Sequence, residues 1–267
     1  MSDAVDARTF GLDGWMPVTT GESGALVRQS PDGRCFAKVV GADGIAALAA
    51  ERDRVRWLAG QGVPGPSLLA WREEDTGACM LTSAVPGIGA DRLSPPDLLR
   101  AWRGIGEAVR RLHDLPLAAC PFRDHDLQAR MALARAVVAR GAVNPDFLPE
   151  IDRGRDPVAI LAELERDLPR MMAREMDDLA VCHGDCCLPN ILVDPETLAV
   201  TGFIDLGRLG VADRHADLAL LTANARETWP DEAMAQAADL ALADAYGMPF
   251  DPERLRFFLR LDPLTWG

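Results

Sequence analysis

The sequence predicts an α+β fold with a small, β-rich N-terminal part and a larger, helical C-terminal part. Three observations predict it. Across the first third of the chain, short apolar runs alternate with turn-forming clusters, as in antiparallel strands. Pro86 and Gly87 then form a breaker pair typical of a linker. From Ser94 onward, apolar residues recur at helical spacing. We therefore predict one domain over residues 1–85 and another over residues 86–267.

The composition is that of an ordinary globular protein. The chain has 267 residues, of which 48% are hydrophobic, enough for one large or two modest cores. Its formal net charge of −13 argues against a nucleic-acid partner, because no basic stripe offsets repulsion from phosphates. The same charge would favour a cationic small molecule, although solubility is the more general explanation of an acidic chain.

The cysteines and the N-terminal sequence predict a reduced, cytoplasmic setting. Six cysteines show no disulfide-framework spacing, and MSDAVDARTF lacks a charged-then-apolar signal. No apolar run approaches the length of a membrane span. Cys182, His183, Cys186 and Cys187 could suggest zinc, but adjacent cysteines fit no usual ligand pair and no second cluster completes four ligands.

The N-terminal part is predicted to begin with three strands. WMPVTT and ALVRQ flank the loop GESG at 21–24, and the turn at 30–33 precedes a third strand, CFAKVV. Backbone amides in the GESG loop could cover phosphates, or the loop could be a plain hairpin turn. No GxxxxGK[ST] motif occurs, which excludes a P-loop enzyme.

Lys38 and Glu51 are charged residues in apolar settings. Lys38 is the only charge in the predicted strand. The helical segment that follows has an acid on its apolar face, which carries Leu48, Glu51, Val55 and Leu58. A buried Lys38–Glu51 pair would satisfy both groups, whereas leaving either unpaired would cost on the order of several kcal/mol. The alternative is a lysine that snorkels at a strand edge and a glutamate at the rim of the stripe.

The chain continues with two strands around the turn at 74–77 and then with helices. Ser94 is a capping residue for the first long helix, and two more helical segments follow around 126–140 and 156–176. The loop NPDFLPEID between these two carries Asp146, Glu150 and Asp152. It is either a solvated acidic face or part of a rim that attracts a cation.

The strongest chemical signal lies in VCHGDCCLPN and the following FIDLG. Two apolar runs between them flank a turn at 194–197, which predicts a hairpin with Asn190 and Asp205 side by side at its open end. Asp185 would join them, giving oxygen ligands that suit Mg²⁺ and a carboxylate that suits an attacking hydroxyl. Phosphoryl transfer requires this set. The alternative is a polar loop and hairpin that happen to carry acids.

These motifs resemble those of the aminoglycoside phosphotransferases, small-molecule kinases with a two-lobed, protein-kinase-like fold. In that family HGDxxxxN is the catalytic loop and IDxGR supplies the second metal ligand. The resemblance runs from GESG to the terminal LDPLTWG and is strongest to streptomycin 3''-phosphotransferases. It implies ATP and Mg²⁺ as cofactors and a streptomycin-like aminoglycoside as the cationic substrate.

The resemblance also implies a role for individual residues. Asp185 would orient the acceptor hydroxyl, Arg208 would contact the transferring phosphate, and Asn190 with Asp205 would hold the metal. His183 would be a scaffold residue. Asp217 would brace the catalytic loop; Asp213, one turn before it, is a predicted helix N-cap. The nucleotide contacts would come from Lys38, Glu51, Ser23, Ser83 and Val85.

The substrate contacts implied by the resemblance are acidic. The ammonium or guanidinium groups of the drug would be bound by Glu227, Asp262 and the carboxylate of Gly267. Pro263 stands where 3'-kinases commonly have an acid, which favours the streptomycin type. Two alternatives stay open: a kinase for another small hydroxylated metabolite of the amino-alcohol type, and a non-catalytic nucleotide-binding module. We expect a monomer.

Overall fold

The computed structural model describes residues 10–18 and 25–267. Its strands are β1 (Met16–Val18), β2 (Leu26–Gln29), β3 (Cys35–Gly41), β4 (Leu68–Glu74), β5 (Gly77–Ser83), β6 (Ile88–Gly89), β7 (Leu179–Cys182), β8 (Ile191–Val193), β9 (Val200–Phe203) and β10 (Gly210–Asp213). Its α-helices are α1 (Ile45–Ala59), α2 (Pro95–His113), α3 (Leu127–Ala139), α4 (Pro157–Asp178), α5 (Arg214–Arg226), α6 (Glu232–Tyr246) and α7 (Pro252–Leu261). The predicted α+β class is confirmed.

The N-terminal part is an antiparallel sheet covered by helix α1. Its strand order is β1-β2-β3-β5-β4. In β3, Ala37 and Val39 are buried with Leu12 on one face. Because side chains alternate along a strand, Lys38 emerges on the opposite face, on the side of α1. The sheet therefore presents its one internal lysine to the helix that carries Glu51.

Helix α1 buries the face that the sequence predicted, and Arg54 is buried with it. Leu48, Glu51, Val55 and Leu58 are all buried. The apolar members join a large core that also contains Met80 of β5 and apolar residues of α2, of the hairpin formed by β8 and β9, and of α6. The acid on this stripe is thus carried into the interior by its neighbours.

The central hairpin forms as its turn chemistry predicts. β8 pairs with β9, and β6 extends the pair to three strands. The Asp194 carboxylate accepts bonds from the Glu196 and Thr197 amides at 2.9 and 2.8 Å, which closes the turn. At the open end, the Ile204 amide donates to the Asn190 carbonyl at 3.0 Å. The residues that follow β9 therefore lie beside Asn190.

The helices of the C-terminal part enclose the hairpin and build a second core. Ser94 and Asp213 cap α2 and α5 as predicted, each accepting a bond from a backbone amide of the first turn. A second core, separate from the first, joins α3, α4 and α7 with Leu264 near the C-terminus. Among the described residues, no helix combines the length and apolar character needed to cross a membrane.

The acidic loop before α4 is not uniformly exposed. Asp146 and Glu150 are exposed, whereas Asp152 is fully buried. Arg260 of α7 donates to both oxygens of Asp152, at 2.7 and 3.0 Å. Asp152 therefore anchors the loop to α7 and does not belong to a cation-attracting rim.

Candidate active site

Lys38 lies between two carboxylates from different parts of the chain. Its Nζ atom is 2.8 Å from Glu51 Oε2 and 3.1 Å from Asp205 Oδ1. Burial disfavours the Lys38 ammonium, but Glu51 and Asp205 outweigh it and raise the pKa of Lys38. Burial raises the pKa of Glu51, and Lys38 opposes this shift. The contacts join β3, α1 and the segment after β9 into one charged cluster.

Asp185 and Asn190 form the second half of the site. The Asn190 Nδ2 atom donates to the Asp185 backbone carbonyl at 2.9 Å and to Asp185 Oδ2 at 3.0 Å. Burial raises the pKa of Asp185, and the nearby carboxylates of Asp262 and Asp205 add to the shift. An acid with a raised pKa is a stronger proton acceptor than an exposed aspartate, as general-base chemistry requires.

Asp217 of α5 holds the backbone just before Asp185. Its carboxylate accepts bonds from the His183 amide at 2.6 Å and the Gly184 amide at 2.8 Å. His113 of α2 contacts the same carboxylate at 3.0 Å. Although burial opposes ionisation, the hydrogen bond from His113 and the bond from the Gly184 amide help to lower the pKa of Asp217.

Gly184 is required by the close approach of another segment. Its φ is +84°, a left-handed value that favours glycine. A Cβ atom here would also clash with the backbone carbonyl of Arg208. The loop containing Asp185 and the segment containing Arg208 are therefore packed backbone against backbone.

His183 connects the same two segments. Its Nε2 atom donates to the Ile204 carbonyl at 2.9 Å, and its Nδ1 atom accepts from the Asp185 amide at 3.2 Å. This pattern fits the tautomer with the proton on Nε2. With both ring nitrogens engaged, His183 is a scaffold residue and is not placed to act as a nucleophile.

Asp205 and Asn190 offer oxygen atoms suited to a hard cation. Asp205 has a left-handed φ of 58°, and its side chain is 45% exposed, which makes it the open member of the cluster. The Asn190 amide nitrogen bonds Asp185, so these two bonds do not use the side-chain oxygen of Asn190. A carboxylate and an amide carbonyl are the donor set that Mg²⁺ takes in proteins. The residues present thus fit a magnesium ion.

Arg208 is held by the C-terminal segment, residues 262–267. Its guanidinium donates to the Thr265 hydroxyl at 3.0 Å and to the Thr265 carbonyl at 3.1 Å. The Trp266 ring centroid is 3.5 Å from its Cζ atom, and an Asp262 oxygen is 3.5 Å from Nη1. Burial lowers the pKa of Arg208. In this arrangement Arg208 packs on the C-terminal segment beside the loop that carries Asp185.

Comparison with known proteins places this geometry in a family. Residues 17–258 match the family model described as the phosphotransferase enzyme family. Streptomycin 3''-kinase of Streptomyces griseus is 58% identical over 265 residues, covering 99% of this chain and 97% of the relative. The chain belongs to the aminoglycoside phosphotransferases. The predicted kinase-like fold and the predicted family are confirmed.

Two solved structures of family members support the assignment. Aminoglycoside phosphotransferase APH(3'')-Id from Streptomyces rimosus, in complex with ADP and streptomycin, superposes with a TM-score of 0.91 at 52% identity. The match covers 99% of this phosphotransferase and all of that chain. An aminoglycoside-3'-phosphotransferase of type VIII has a TM-score of 0.79 and 35% identity, covering 94% of each chain.

The sequence also predicted site residues of this phosphotransferase at Ser23, Ser83, Val85 and Glu227. Ser23 lies outside the described residues. The Ser83 amide donates to the Ser67 carbonyl at 2.9 Å, so only other backbone groups near Ser83 and Val85 could face a nucleotide base. Glu227 is exposed at the end of α5, one turn beyond Asn224.

The predicted substrate residues near the C-terminus are partly engaged by arginines. Asp262 accepts a bond from Arg130 at 2.8 Å and one from the Trp266 indole at 3.0 Å. The Gly267 carbonyl accepts a bond from Arg140 at 3.2 Å. Asp262 is therefore a buried and already paired carboxylate.

Several residues that shape the site were not predicted from sequence. Arg130 holds Asp262, and Thr265 and Trp266 hold Arg208. Asn224 accepts a bond at 2.9 Å from the Leu188 amide, in the loop that carries Asp185. Arg130 carried a usable signal, because it interrupts the apolar stripe of α3 as Glu51 interrupts that of α1. Thr265, Trp266 and Asn224 carried no such signal in the sequence.

Proposed function

We propose that this enzyme transfers the γ-phosphoryl group of ATP to the 3''-hydroxyl of streptomycin, with Mg²⁺ as the metal. The observation that carries the choice of substrate is the full-length similarity to streptomycin 3''-kinase, at 58% identity. The solved relative bound to ADP and streptomycin supports the same choice. By this activity the enzyme would confer resistance to the drug.

We propose that the nucleotide lies between a lobe of residues 1–85 and a lobe of residues 86–267. Lys38 would contact the phosphates and Glu51 would keep its ammonium in place, as their 2.8 Å contact supports. Ser23 would cover the phosphates from its loop. Backbone groups near Ser83 and Val85 would hydrogen-bond the adenine.

Asn190 and Asp205 are the proposed ligands of Mg²⁺. Their amide and carboxylate oxygens suit this ion, and the contact between Asp205 and Lys38 supports a metal site next to the lysine that would bind the phosphates. When bound, the ion would neutralise charge on the phosphate oxygens. Lys38 would share that task from the other side.

Asp185 is the proposed catalytic carboxylate. It would accept the hydroxyl proton of the acceptor as the new oxygen–phosphorus bond forms and the bond to the ADP oxygen breaks. Its raised pKa and the Asn190 bond to Oδ2 support this role, because they give a basic group in a fixed orientation. Arg208, close to the same loop, would contact the transferring phosphate.

The proposed drug contacts are Glu227, Asp262 and Gly267. The two guanidinium groups of streptomycin suit planar carboxylates. Glu227 is exposed and can meet a cation directly, whereas Asp262 would have to share its oxygens with Arg130. We therefore propose that Glu227 makes the stronger ionic contact and that Asp262 mainly organises the C-terminal segment.

We propose a monomer that acts in the cytoplasm, where ATP and the drug meet. Six free cysteines are compatible with a reducing compartment.

One experiment tests the proposed function. Purified enzyme is incubated with ATP and Mg²⁺ against streptomycin, a 4,6-linked aminoglycoside and choline, and product masses are read for one added phosphate. We expect phosphate on streptomycin alone, at the 3'' position by NMR. Transfer only to choline would move the assignment to an amino-alcohol kinase. Nucleotide binding without any transfer would favour a non-catalytic module.

A further inference from the structure

Arg54 is a buried arginine on α1, one turn from Glu51. Only 3% of its side chain is exposed. Its Nε atom donates to the Leu209 carbonyl at 2.7 Å, and Nη2 donates to Asp124 Oδ2 at 2.5 Å. The guanidinium also lies over the Phe122 ring, with Cζ 4.8 Å from the centroid. A buried arginine with three well-formed contacts fixes the segments that it joins.

Two links, one through Lys38 and one direct, connect α1 to opposite ends of residues 205–209, the segment that carries the proposed metal ligand Asp205. Asp205 begins this segment and Leu209 ends it, with one short turn between them. Glu51 reaches the beginning through Lys38, and Arg54 reaches the end directly. Two anchor points on one short segment fix both the position and the rotation of the helix.

A connecting segment, residues 119–124, contacts both Arg54 and Trp57 of α1. The Trp57 indole donates to the Ala119 carbonyl at 3.0 Å, and its ring packs edge-on against Phe122 with centroids 5.9 Å apart. The Phe122 carbonyl in turn accepts a bond from the Val211 amide of β10 at 2.9 Å. Helix α1 is thereby tied to the C-terminal part of the chain.

We infer that Arg54 is a positioning residue that keeps α1 in the orientation in which Glu51 reaches Lys38. This inference rests on the proposed function, since it concerns the same nucleotide site. In protein kinases the corresponding ion pair is controlled by movement of the helix and by activation-loop phosphorylation. In this enzyme Arg54, Leu209 and Asp124 supply the restraint without any modification, so the pair is assembled permanently.

The kinetic test compares Arg54→Met with Arg56→Met. Methionine keeps the apolar stem of Arg54 and removes both donors. We expect KM for MgATP to rise and kcat to fall, each by about 10-fold, with KM for streptomycin unchanged, because a buried charged hydrogen bond has an effect of this size. Arg56 is on the same helix but its side chain is 62% exposed, so Arg56→Met is the matched control. Equal kinetics in the two variants would overturn the inference.

A double-mutant cycle separates positioning from general support of the fold. Arg54→Met is introduced into Glu51→Gln, and MgATP affinity is measured by calorimetry. If Arg54 acts through Glu51, the second substitution adds little to the loss already caused by the first. Independent, multiplicative losses would mean that Arg54 does not act through Glu51.

Asp124→Ala provides a milder variant, since the Asp124 side chain is 60% exposed and its loss does not open the core. We expect KM for MgATP to rise about 3-fold, in line with a partly exposed ion pair. If Arg54→Met fails to fold, Asp124→Ala replaces it in the kinetic test, and an unchanged KM for MgATP would then overturn the inference.

Hydrogen exchange tests the restraint without any substrate. We expect the amides of α1 and of residues 205–209 to exchange faster in Arg54→Met than in Arg56→Met and wild type. Unchanged protection would overturn the inference even if the enzyme phosphorylates streptomycin. Wild-type inactivity on streptomycin would overturn the proposed substrate, while the exchange result would still decide the role of Arg54.

Discussion

Asp185 shows how its surroundings suit an ordinary side chain to the general-base role that we propose for it. Burial and two neighbouring carboxylates favour its protonated form, and the Asn190 amide fixes the orientation of the ionised form. A raised pKa makes Asp185 a better proton acceptor, and the bond from Asn190 fixes the direction of its carboxylate. The same residue type on the surface would be a weaker base.

This pKa shift predicts an acid limit to activity. The proposed role of Asp185 needs its carboxylate ionised, so kcat should fall as the pH drops through its raised pKa, at a higher pH than an aspartate of ordinary pKa would give. In Asp262→Asn one neighbouring negative charge is gone, so the limit should move to lower pH. The measurement is kcat against pH at saturating ATP and streptomycin.

Asp185→Asn is the companion variant. Loss of the proton acceptor should lower kcat by about 10²-fold or more, with MgATP affinity retained. Asp244→Asn, at a side chain that is 78% exposed, is the matched control and should keep wild-type kinetics. If kcat falls at the same pH in Asp262→Asn as in wild type, Asp262 does not contribute to the raised pKa of Asp185.

Helix α5 links the catalytic loop to the interior of the C-terminal part. Asp213 caps it, while Asp217 accepts bonds from two loop amides and Asn224, two turns further on, accepts a third. His113 of α2, which contacts Asp217, is itself 2.6 Å from the Tyr246 hydroxyl of α6. Three helices thus determine where the loop lies.

Asp217→Asn should damage stability and activity together. The asparagine nitrogen would face a backbone N–H, leaving a buried donor unpaired at a cost of about 2 kcal/mol. Because the pKa of Asp217 is lowered, its stabilising effect is complete above its unfolded pKa and is lost only as the pH falls through the lower folded value.

The free energy of unfolding, measured in urea, tests this expectation. The difference between wild type and Asp217→Asn should be the same at pH 7 and pH 5, and should shrink only at more acidic pH. A difference that already shrinks between pH 7 and pH 5 would contradict the assignment of a lowered pKa. Asp244→Asn should show no difference at either pH.

At the scale of the whole molecule, two cores meet at the site through the C-terminal segment. Leu206 and Leu209, which flank Arg208, belong to the large core, and Leu264 belongs to the second. The bonds from Arg208 to Thr265 join these two regions directly. The last turn of the chain is therefore part of the wall beside the catalytic loop.

Removal of Leu264–Gly267 should abolish streptomycin phosphorylation while MgATP binding is retained. The truncation releases Arg208 and disturbs Asp262, but it leaves the Lys38 cluster and its contacts in place. Phosphate transfer and calorimetric MgATP affinity are the two measurements. Since Leu264 is buried, thermal unfolding should also shift downward.

Trp266→Ala is the gentler companion, because it removes the stacking on Arg208 and keeps Leu264. We expect a smaller loss of kcat in the same direction, with the fold retained. Full activity in both variants would show that the C-terminal segment has no part in the reaction.

The sequence alone determined the strands and helices, and also those contacts that show in the local spacing of apolar and charged residues. A turn cluster between two apolar runs predicted the hairpin beside Asn190, and charges on apolar stripes predicted the contact between Lys38 and Glu51, because periodicity reports which positions are buried. The streptomycin assignment came from motif resemblance and not from such patterns.

The tertiary structure alone decided which distant residues hold the site in place. Arg54 on Leu209, Arg130 on Asp262, and Thr265 on Arg208 join segments that are far apart in the chain. An apolar stripe shows that an arginine is buried, but a long side chain has many acceptors within reach. Its partner is settled only when the helices pack, because the position of each acceptor depends on elements whose orientation the local sequence does not encode.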